Sequence, residues 1–284
     1  MKYGRATIYL TAAAIIMFVQ SGLARGEAAK GEVKGSAYVH TDQSRLAAVA
    51  QASVALPARV TNGPVFFGAW KDIPPLTNPP RVPVVIFLHG SSGLSLNAIG
   101  EWQQWLAGLG IASVAPDSFA LPDRITYTSP VSREIYERIH ALRASEIELA
   151  LAAVQAAPFA DASRLVLAGT SEGSPAVARH GGREFAARIF YAWSCEDNYF
   201  VEAHRTAIVA GQPVLNIISA SDPFFSARNS YLGNTAAQGH CGGALADSKQ
   251  ATVVLIPGAP HTLINLPQAR AATRSFLQDT LKLP

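Results

Sequence analysis

The sequence predicts an α/β protein in which a mostly parallel central sheet is covered by helices on both faces. Apolar runs of strand length alternate along the chain with longer segments of helical periodicity. This alternation is typical of parallel sheets built from strand–helix–strand units. Polar residues also follow several of the apolar runs directly, as the residues of a functional site do at the carboxyl ends of parallel strands. The 284 residues are enough to bury one large core of this kind.

The predicted strands are continuous apolar runs, as expected where both faces of a strand are buried. They cover residues 84–88, 111–115, 164–168, 187–193, 213–219 and 252–256. Longer helices are predicted where apolar side chains recur with helical spacing, over residues 96–109, 132–157 and 267–281.

The first 24 residues are predicted to be a signal peptide. Lys2 and Arg5 give a positive start, residues 6–19 are mostly apolar, and small residues precede a cleavage point after Ala24. The apolar segment is shorter than the roughly 20 residues that a membrane-spanning helix needs. The alternative is that this segment is not cleaved and remains as a membrane anchor. We therefore expect a mature protein that is periplasmic or secreted and has no membrane contact after cleavage.

Residues 25–80 are predicted to form an N-terminal extension and a connector. Residues 46–56 are rich in Ala and Val, and their periodicity does not decide between helix and strand. Residues 60–70 are a candidate strand, and residues 71–83 are rich in proline, which indicates an extended connector. The remaining domain is predicted over residues 81–284.

Charge and cysteine content narrow the class of partner and the compartment. The net charge of +3, from 23 basic against 20 acidic residues, is too small to indicate a nucleic-acid partner. In an exported chain, the two cysteines favour a disulfide between Cys195 and Cys241. The alternatives are two unrelated buried thiols, or a metal site with His240 that lacks a fourth ligand. Since this possible metal site lacks a fourth ligand, no metal is predicted. No phosphate-binding loop or dinucleotide motif is present, and no cofactor is predicted either.

The segment Gly169-Thr170-Ser171-Glu172-Gly173 has the pattern Gly-x-Ser-x-Gly. A predicted strand precedes it, and a helix start with Pro175 in the first turn follows it. A strand, a tight turn and a helix would hold the Ser171 hydroxyl on a strained elbow above the edge of the sheet. We therefore predict that Ser171 is a nucleophile rather than part of a plain strand-to-helix turn.

A serine hydroxyl needs a base within hydrogen-bond reach, and that base needs an acid to orient it. In this architecture the chain order is Ser, then Asp or Glu, then His. His261 follows the last strand in a loop of Gly and Pro, which makes it the predicted base. Asp222 follows the preceding strand and is the predicted acid, with Glu196 and Asp197 as rivals.

Acyl transfer also needs an oxyanion hole, in which two backbone N–H groups meet the developing negative charge. One donor is expected from Glu172, the residue after the nucleophile. The other is expected from the loop after His89-Gly90, first from Ser91 and second from Ser92. His89 itself is expected to order this loop rather than to transfer a proton.

Taken together, these segments resemble the α/β-hydrolase superfamily, and in particular its dienelactone hydrolase-like branch, here with a serine nucleophile. The resemblance covers roughly residues 83–281. It is carried by Phe87-Leu88-His89-Gly90-Ser91-Ser92-Gly93, Ala115-Pro116-Asp117-Ser118-Phe119, the Ser171 elbow, Ser221-Asp222 and His261.

The resemblance implies the α/β-hydrolase fold and hydrolysis of a small-molecule ester or lactone through an acyl-enzyme. Dienelactone hydrolases proper use Cys as the nucleophile, so the dienelactone substrate itself is not implied. An acyltransferase or a peptidase on the same fold is an alternative, as is a binding protein, which would need a broken triad. The acyl pocket is expected around Leu94, Phe119, Trp193, Phe224 and Phe225.

Overall fold

The computed structural model describes residues 31–204, 206–209, 211–227, 229 and 236–283. The signal peptide predicted for residues 1–24 lies outside the described residues. The strands are β1 (Val33–Lys34), β2 (Ser53–Leu56), β3 (Phe66–Ala69), β4 (Val82–Leu88), β5 (Ala112–Ala115), β6 (Thr126–Tyr127), β7 (Ala160–Thr170), β8 (Ala187–Tyr191), β9 (Val214–Ser219) and β10 (Ala251–Ile256). The helices are α1 (Asp42–Ala50), α2 (Ala58–Thr61), α3 (Asn97–Gly108), α4 (Arg133–Ala156), α5 (Ser174–Arg179) and α6 (Pro267–Leu281).

The centre of the protein is an eight-stranded sheet with the order β10-β9-β8-β7-β4-β5-β2-β3. The strands from β10 to β5 in this order are all parallel to their neighbours. Within this sheet, β2 runs antiparallel to both of its neighbours, β5 and β3. The predicted mostly parallel sheet is therefore confirmed.

The middle of the sheet determines where a site can form. Every residue of β4 is buried, which agrees with its continuous apolar sequence. The chain runs from β4 outward to β5 and then returns past β4 to β7. At such a reversal the connections leave in opposite directions, so a crevice opens at the carboxyl ends of β4 and β7.

Helices cover both faces of the sheet, as predicted. On one face the apolar side of α3 and α6 packs on the strands through Trp102, Leu106 and Leu277. On the other face α4 and α5 do the same, through Tyr136, Ile147 and Val177 among others. Burying one such large apolar side chain stabilises the fold by about 1.5–3 kcal/mol.

The N-terminal segment contributes more to the sheet than its sequence indicates. Strands β2 and β3 extend the sheet beyond β5, so the sheet begins at Ser53, before the predicted domain boundary at residue 81. Residues 46–56, which fitted either helix or strand, contain both the end of α1 and all of β2. Among the residues described, no helix combines the length and the apolar character that crossing a bilayer requires.

The predicted disulfide is present. Cys195, shortly after β8, is bonded to Cys241, and their Cα atoms lie 4.6 Å apart. The Cys241 backbone N–H also donates to Asn216 Oδ1 in β9, at 3.0 Å. Because both sulfur atoms are consumed by the bond, two unrelated thiols and the alternative metal site with His240 are excluded.

Candidate active site

Ser171 lies at the sharp turn between β7 and α5. Its backbone has φ 50°, in the left-handed region that non-glycine residues rarely occupy. A single 3-10 turn, Ser171–Gly173, then leads into α5, which carries Pro175 in its first turn. Such a conformation costs of order 1–3 kcal/mol, and it persists only where the surroundings impose it.

The two glycines of the motif are required by close backbone contacts. A Cβ on Gly173 would lie 2.4 Å from the Leu88 carbonyl oxygen of β4. A Cβ on Gly169 would lie 2.9 Å from the Gly173 carbonyl oxygen. Both distances are far inside van der Waals contact, so any side chain at either position would push the elbow out of place.

Ser171, His261 and Asp222 are brought together in one hydrogen-bonded line. The Ser171 hydroxyl lies 2.9 Å from His261 Nε2. On the other side of the ring, His261 Nδ1 lies 2.7 Å from Asp222 Oδ2. A carboxylate only accepts, so Nδ1–H donates to Asp222 and leaves the Nε2 lone pair for the Ser171 proton.

The carboxyl group of Asp222 is held rigidly. It is fully buried, and its Oδ1 accepts the backbone N–H groups of Phe224 at 2.9 Å and Phe225 at 3.1 Å. The Phe224 ring contacts the His261 ring, with centroids 4.6 Å apart. The second oxygen of Asp222 is therefore aimed at His261 by the loop itself.

The rival residues are engaged elsewhere. Glu196 accepts the backbone N–H groups of Gln238 at 2.6 Å and Gly239 at 3.0 Å. Asp197 accepts the backbone N–H of His204. Neither rival carboxylate has a hydrogen bond to His261 among the described residues.

The loop after β4 carries the predicted oxyanion donor Ser91. Ser91, Ser92 and Gly90 line the same cavity as Ser171 and His261. A Cβ on Gly90 would lie 3.4 Å from Ser171 Cβ, so the loop passes directly beside the nucleophile. No described residue accepts a hydrogen bond from the Ser91 backbone N–H.

The cavity in front of Ser171 has a volume of about 150 Å³. Five aromatic side chains contribute to its wall: Tyr127, Tyr199, Phe200, Phe224 and Phe225. Phe224 and Phe225 were predicted, but Leu94, Phe119 and Trp193 do not line it. Trp193 instead packs edge-on behind Phe225, with ring centroids 5.0 Å apart.

Two buried arginines were missed by the sequence reasoning. Arg143 of α4 donates to the His89 carbonyl oxygen at 3.0 Å and lies 2.8 Å from Glu146. Arg124 donates to the Glu172 carboxylate at 2.5 Å. Burial and the charge of Arg143 hold the pKa of His89 well below its usual range, so this ring is neutral. The expectation that His89 orders its loop agrees with these contacts.

Tyr127 faces the cavity from β6. Burial raises the pKa of its hydroxyl well above the ordinary value, and the charge of Glu172 raises it further. The hydroxyl therefore stays protonated. Within the described part of the chain, no cluster of three or more His, Cys, Asp or Glu side chains is arranged to hold a metal ion.

Solved structures with the same fold cover most of the chain. A cold-adapted esterase from an Arctic intertidal metagenomic library is 16% identical, with 81% of this chain and 94% of that chain covered and a TM-score of 0.50. A putative dienelactone hydrolase from Klebsiella pneumoniae is 14% identical, with 82% of this chain and 99% of that chain covered and a TM-score of 0.50. A thermophilic esterase from Thermogutta terrifontis is 14% identical, with 80% of this chain and 86% of that chain covered and a TM-score of 0.50.

No protein-family model matches the chain, and no curated protein matches it. At these identities the structural similarity establishes the fold. The protein has the α/β-hydrolase fold, as its sequence predicts, and a dienelactone hydrolase-like protein is among the structures that share it.

Proposed function

We propose that this protein is a serine hydrolase that cleaves carboxylic esters or lactones through an acyl-enzyme. The observation that carries the proposal is the hydrogen-bonded line from Asp222 through His261 to Ser171, with distances of 2.7 and 2.9 Å. Ser171, at the end of this line, faces a cavity that is open to a small substrate. Nucleophile, base and orienting acid stand in the order and geometry that acyl transfer requires.

In the first half of the reaction, Ser171 Oγ attacks the carbonyl carbon and its proton passes to His261 Nε2. The carbonyl oxygen becomes an oxyanion, which the backbone N–H groups of Ser91 and Glu172 stabilise. Asp222 keeps the ring oriented and stabilises the imidazolium. His261 then gives the proton to the departing alkoxide, and an acyl-Ser171 ester remains.

In the second half, a water molecule replaces the alcohol. His261 takes a proton from the water as it attacks the acyl carbon, and the proton then passes to Ser171 Oγ as the carboxylic acid leaves. A lactone follows the same steps, except that its alcohol stays joined to the acid.

The cavity size favours small acyl groups. Its volume of about 150 Å³ is below the roughly 300–1,000 Å³ of pockets that hold drug-sized ligands. We therefore expect turnover of p-nitrophenyl esters to be highest for the shortest acyl chains and to fall as the chain lengthens.

The test is a chain-length series of p-nitrophenyl esters, with a lactone and a peptide amide assayed alongside. Hydrolysis of the esters and no cleavage of the amide is the expected result. Cleavage of the amide at a comparable rate would favour a peptidase. Activity that appears only with an added alcohol acceptor would favour an acyltransferase, and no turnover of any substrate would contradict the proposal.

We also propose that the protein is exported to the periplasm or secreted. Support comes from the Cys195–Cys241 disulfide, since such bonds persist in oxidising compartments, and from the charged and apolar pattern of residues 1–24. N-terminal sequencing of the exported protein tests this, with a start at Arg25 expected, the residue after the predicted cleavage point. A mature chain that starts at Met1 would contradict it.

A further inference from the structure

Five polar side chains form a closed ring beneath the elbow: His89, Ser118, Arg124, Arg143 and Glu172. We name this set the buried ring. None of its members is more than 5% exposed. Charged groups are seldom buried unless they are paired, and burying them is costly. A cluster of this kind directly behind the site therefore needs an explanation beyond stability.

Hydrogen bonds and one longer ion pair close the buried ring. His89 Nε2 accepts from the Ser118 backbone N–H at 3.2 Å and from Arg143 Nη1 at 3.1 Å. The Ser118 hydroxyl accepts from Arg124 Nε at 2.7 Å. Arg124 Nη2 donates to Glu172 Oε1 at 2.5 Å, and the same oxygen lies 3.9 Å from Arg143 Nε.

One side of the buried ring determines how the loop after β4 is oriented. Arg143 holds both the carbonyl oxygen and the ring of His89. Because His89 Nε2 accepts two hydrogen bonds, its proton lies on Nδ1, which donates to the Gly90 carbonyl oxygen at 2.7 Å. In a trans peptide the C=O and the following N–H point in opposite directions. Holding the Gly90 oxygen therefore fixes the direction of the Ser91 N–H.

The other side of the buried ring holds Glu172. Its fully buried carboxylate lies between the guanidinium groups of Arg124 and Arg143. The backbone N–H of this residue is the second proposed oxyanion donor. Both halves of the oxyanion hole are thus connected to one guanidinium, that of Arg143.

We propose that Arg143 is a positioning residue that keeps the Ser91 and Glu172 N–H groups in a single geometry around the oxyanion. This rests on the proposed hydrolase function. Arg143 touches neither the nucleophile nor the cavity, and it acts through His89 and Glu172. Preorganised donors lower the barrier only if they are already aimed at the place where charge develops.

The test is Arg143→Lys. Lysine keeps the charge, but one ammonium group cannot reproduce the fork that contacts His89, Glu146 and Glu172 together. We expect kcat for a short-chain p-nitrophenyl ester to fall about 10²-fold, as small misplacements at a site do, with KM little changed. Affinity for a trifluoromethyl ketone, whose adduct carries the oxyanion, should fall by the same factor as kcat/KM.

Arg188→Lys is the matched control. Arg188 is also fully buried, and it donates to the backbone carbonyl groups of Val177, His180 and Gly182, away from the buried ring. Its replacement should lower the melting temperature and leave kcat unchanged. Unaltered kcat in Arg143→Lys, or equal losses of kcat in both variants, would overturn the inference.

Glu172→Gln covers the case in which Arg143→Lys does not fold. It removes the negative charge that faces the guanidinium groups of Arg143 and Arg124 but keeps the backbone N–H of residue 172, the proposed oxyanion donor. The inference expects parallel losses in kcat and in affinity for the ketone, and unaltered values would overturn it. If the wild-type protein hydrolyses no ester, the proposed function is overturned instead, so the two failures are distinguishable.

Discussion

Replacing Asp222 by Asn should disable His261, the proposed base, by changing which of its ring nitrogens carries the proton. Oδ1 of Asp222 accepts two backbone N–H groups, from Phe224 and Phe225. An asparagine must therefore keep its carbonyl oxygen at that position and turn its NH₂ group towards His261 Nδ1. Two donors cannot face each other, so the histidine proton moves to Nε2, where it blocks acceptance of the Ser171 proton.

The expected loss in kcat is about 10⁴-fold, the size measured for the analogous change in a serine protease. It corresponds to about 5 kcal/mol in the activation barrier. The volume of the side chain is almost unchanged and its two backbone bonds are retained, so the loss should appear with little change in the melting temperature. The assay is steady-state hydrolysis of a short-chain p-nitrophenyl ester at neutral pH.

Glu196→Gln is the control for this variant. Glu196 also accepts two backbone N–H groups, from Gln238 and Gly239, but it has no hydrogen bond to His261 in the described structure. Its replacement should leave kcat within the error of the assay. A large loss in Glu196→Gln together with near-normal activity in Asp222→Asn would refute the assignment of the acid.

Two further predictions concern stability. Replacing Cys195 and Cys241 by serine should lower the free energy of unfolding in urea by at most about 4 kcal/mol, given a closed span of 46 residues; two alkylatable thiols on the native protein would contradict the bond. Burial lowers the pKa of His140, so below a pH of about 6.5 the unfolded chain binds a proton that the folded protein does not. Stability should therefore fall from pH 7.5 to 5.5, and the fall should be smaller in His140→Gln than in the wild type; an equal fall in the two proteins would refute it.

The strands of the central sheet were predictable because they are buried on both faces. A strand such as β4 must be apolar at almost every position, and that pattern is visible without any knowledge of its neighbours. The elbow was predictable for a similar reason, since close backbone contacts at Gly169 and Gly173 impose glycine at a fixed spacing.

The edge of the sheet was less visible. Strands β2 and β3 have four residues each, and β2 follows α1 after only Gln51 and Ala52. Such a short strand next to a helix of similar composition has no periodicity of its own. Strand β2 joins the sheet by pairing with β5, and this pairing cannot be read from the local sequence of β2.

The buried ring could not be predicted from the sequence either. Arg143 and Glu146 are charged residues on a long helix, and charged helical residues usually face solvent. They are buried because His40 before α1, His89 after β4 and Glu172 at the elbow meet them in three dimensions. The contact between Arg143 and His89 spans 54 positions, and no local pattern encodes it.

The central claim is that Ser171 is an activated nucleophile, and covalent labelling tests it most directly. A fluorophosphonate probe reacts with an activated serine and stays bonded to it. Intact-mass measurement and peptide mapping should find one label per chain, on the peptide that contains Ser171, and none in Ser171→Ala. Labelling that persists in Ser171→Ala, or a wild-type protein that takes up no label while folded, would contradict the account.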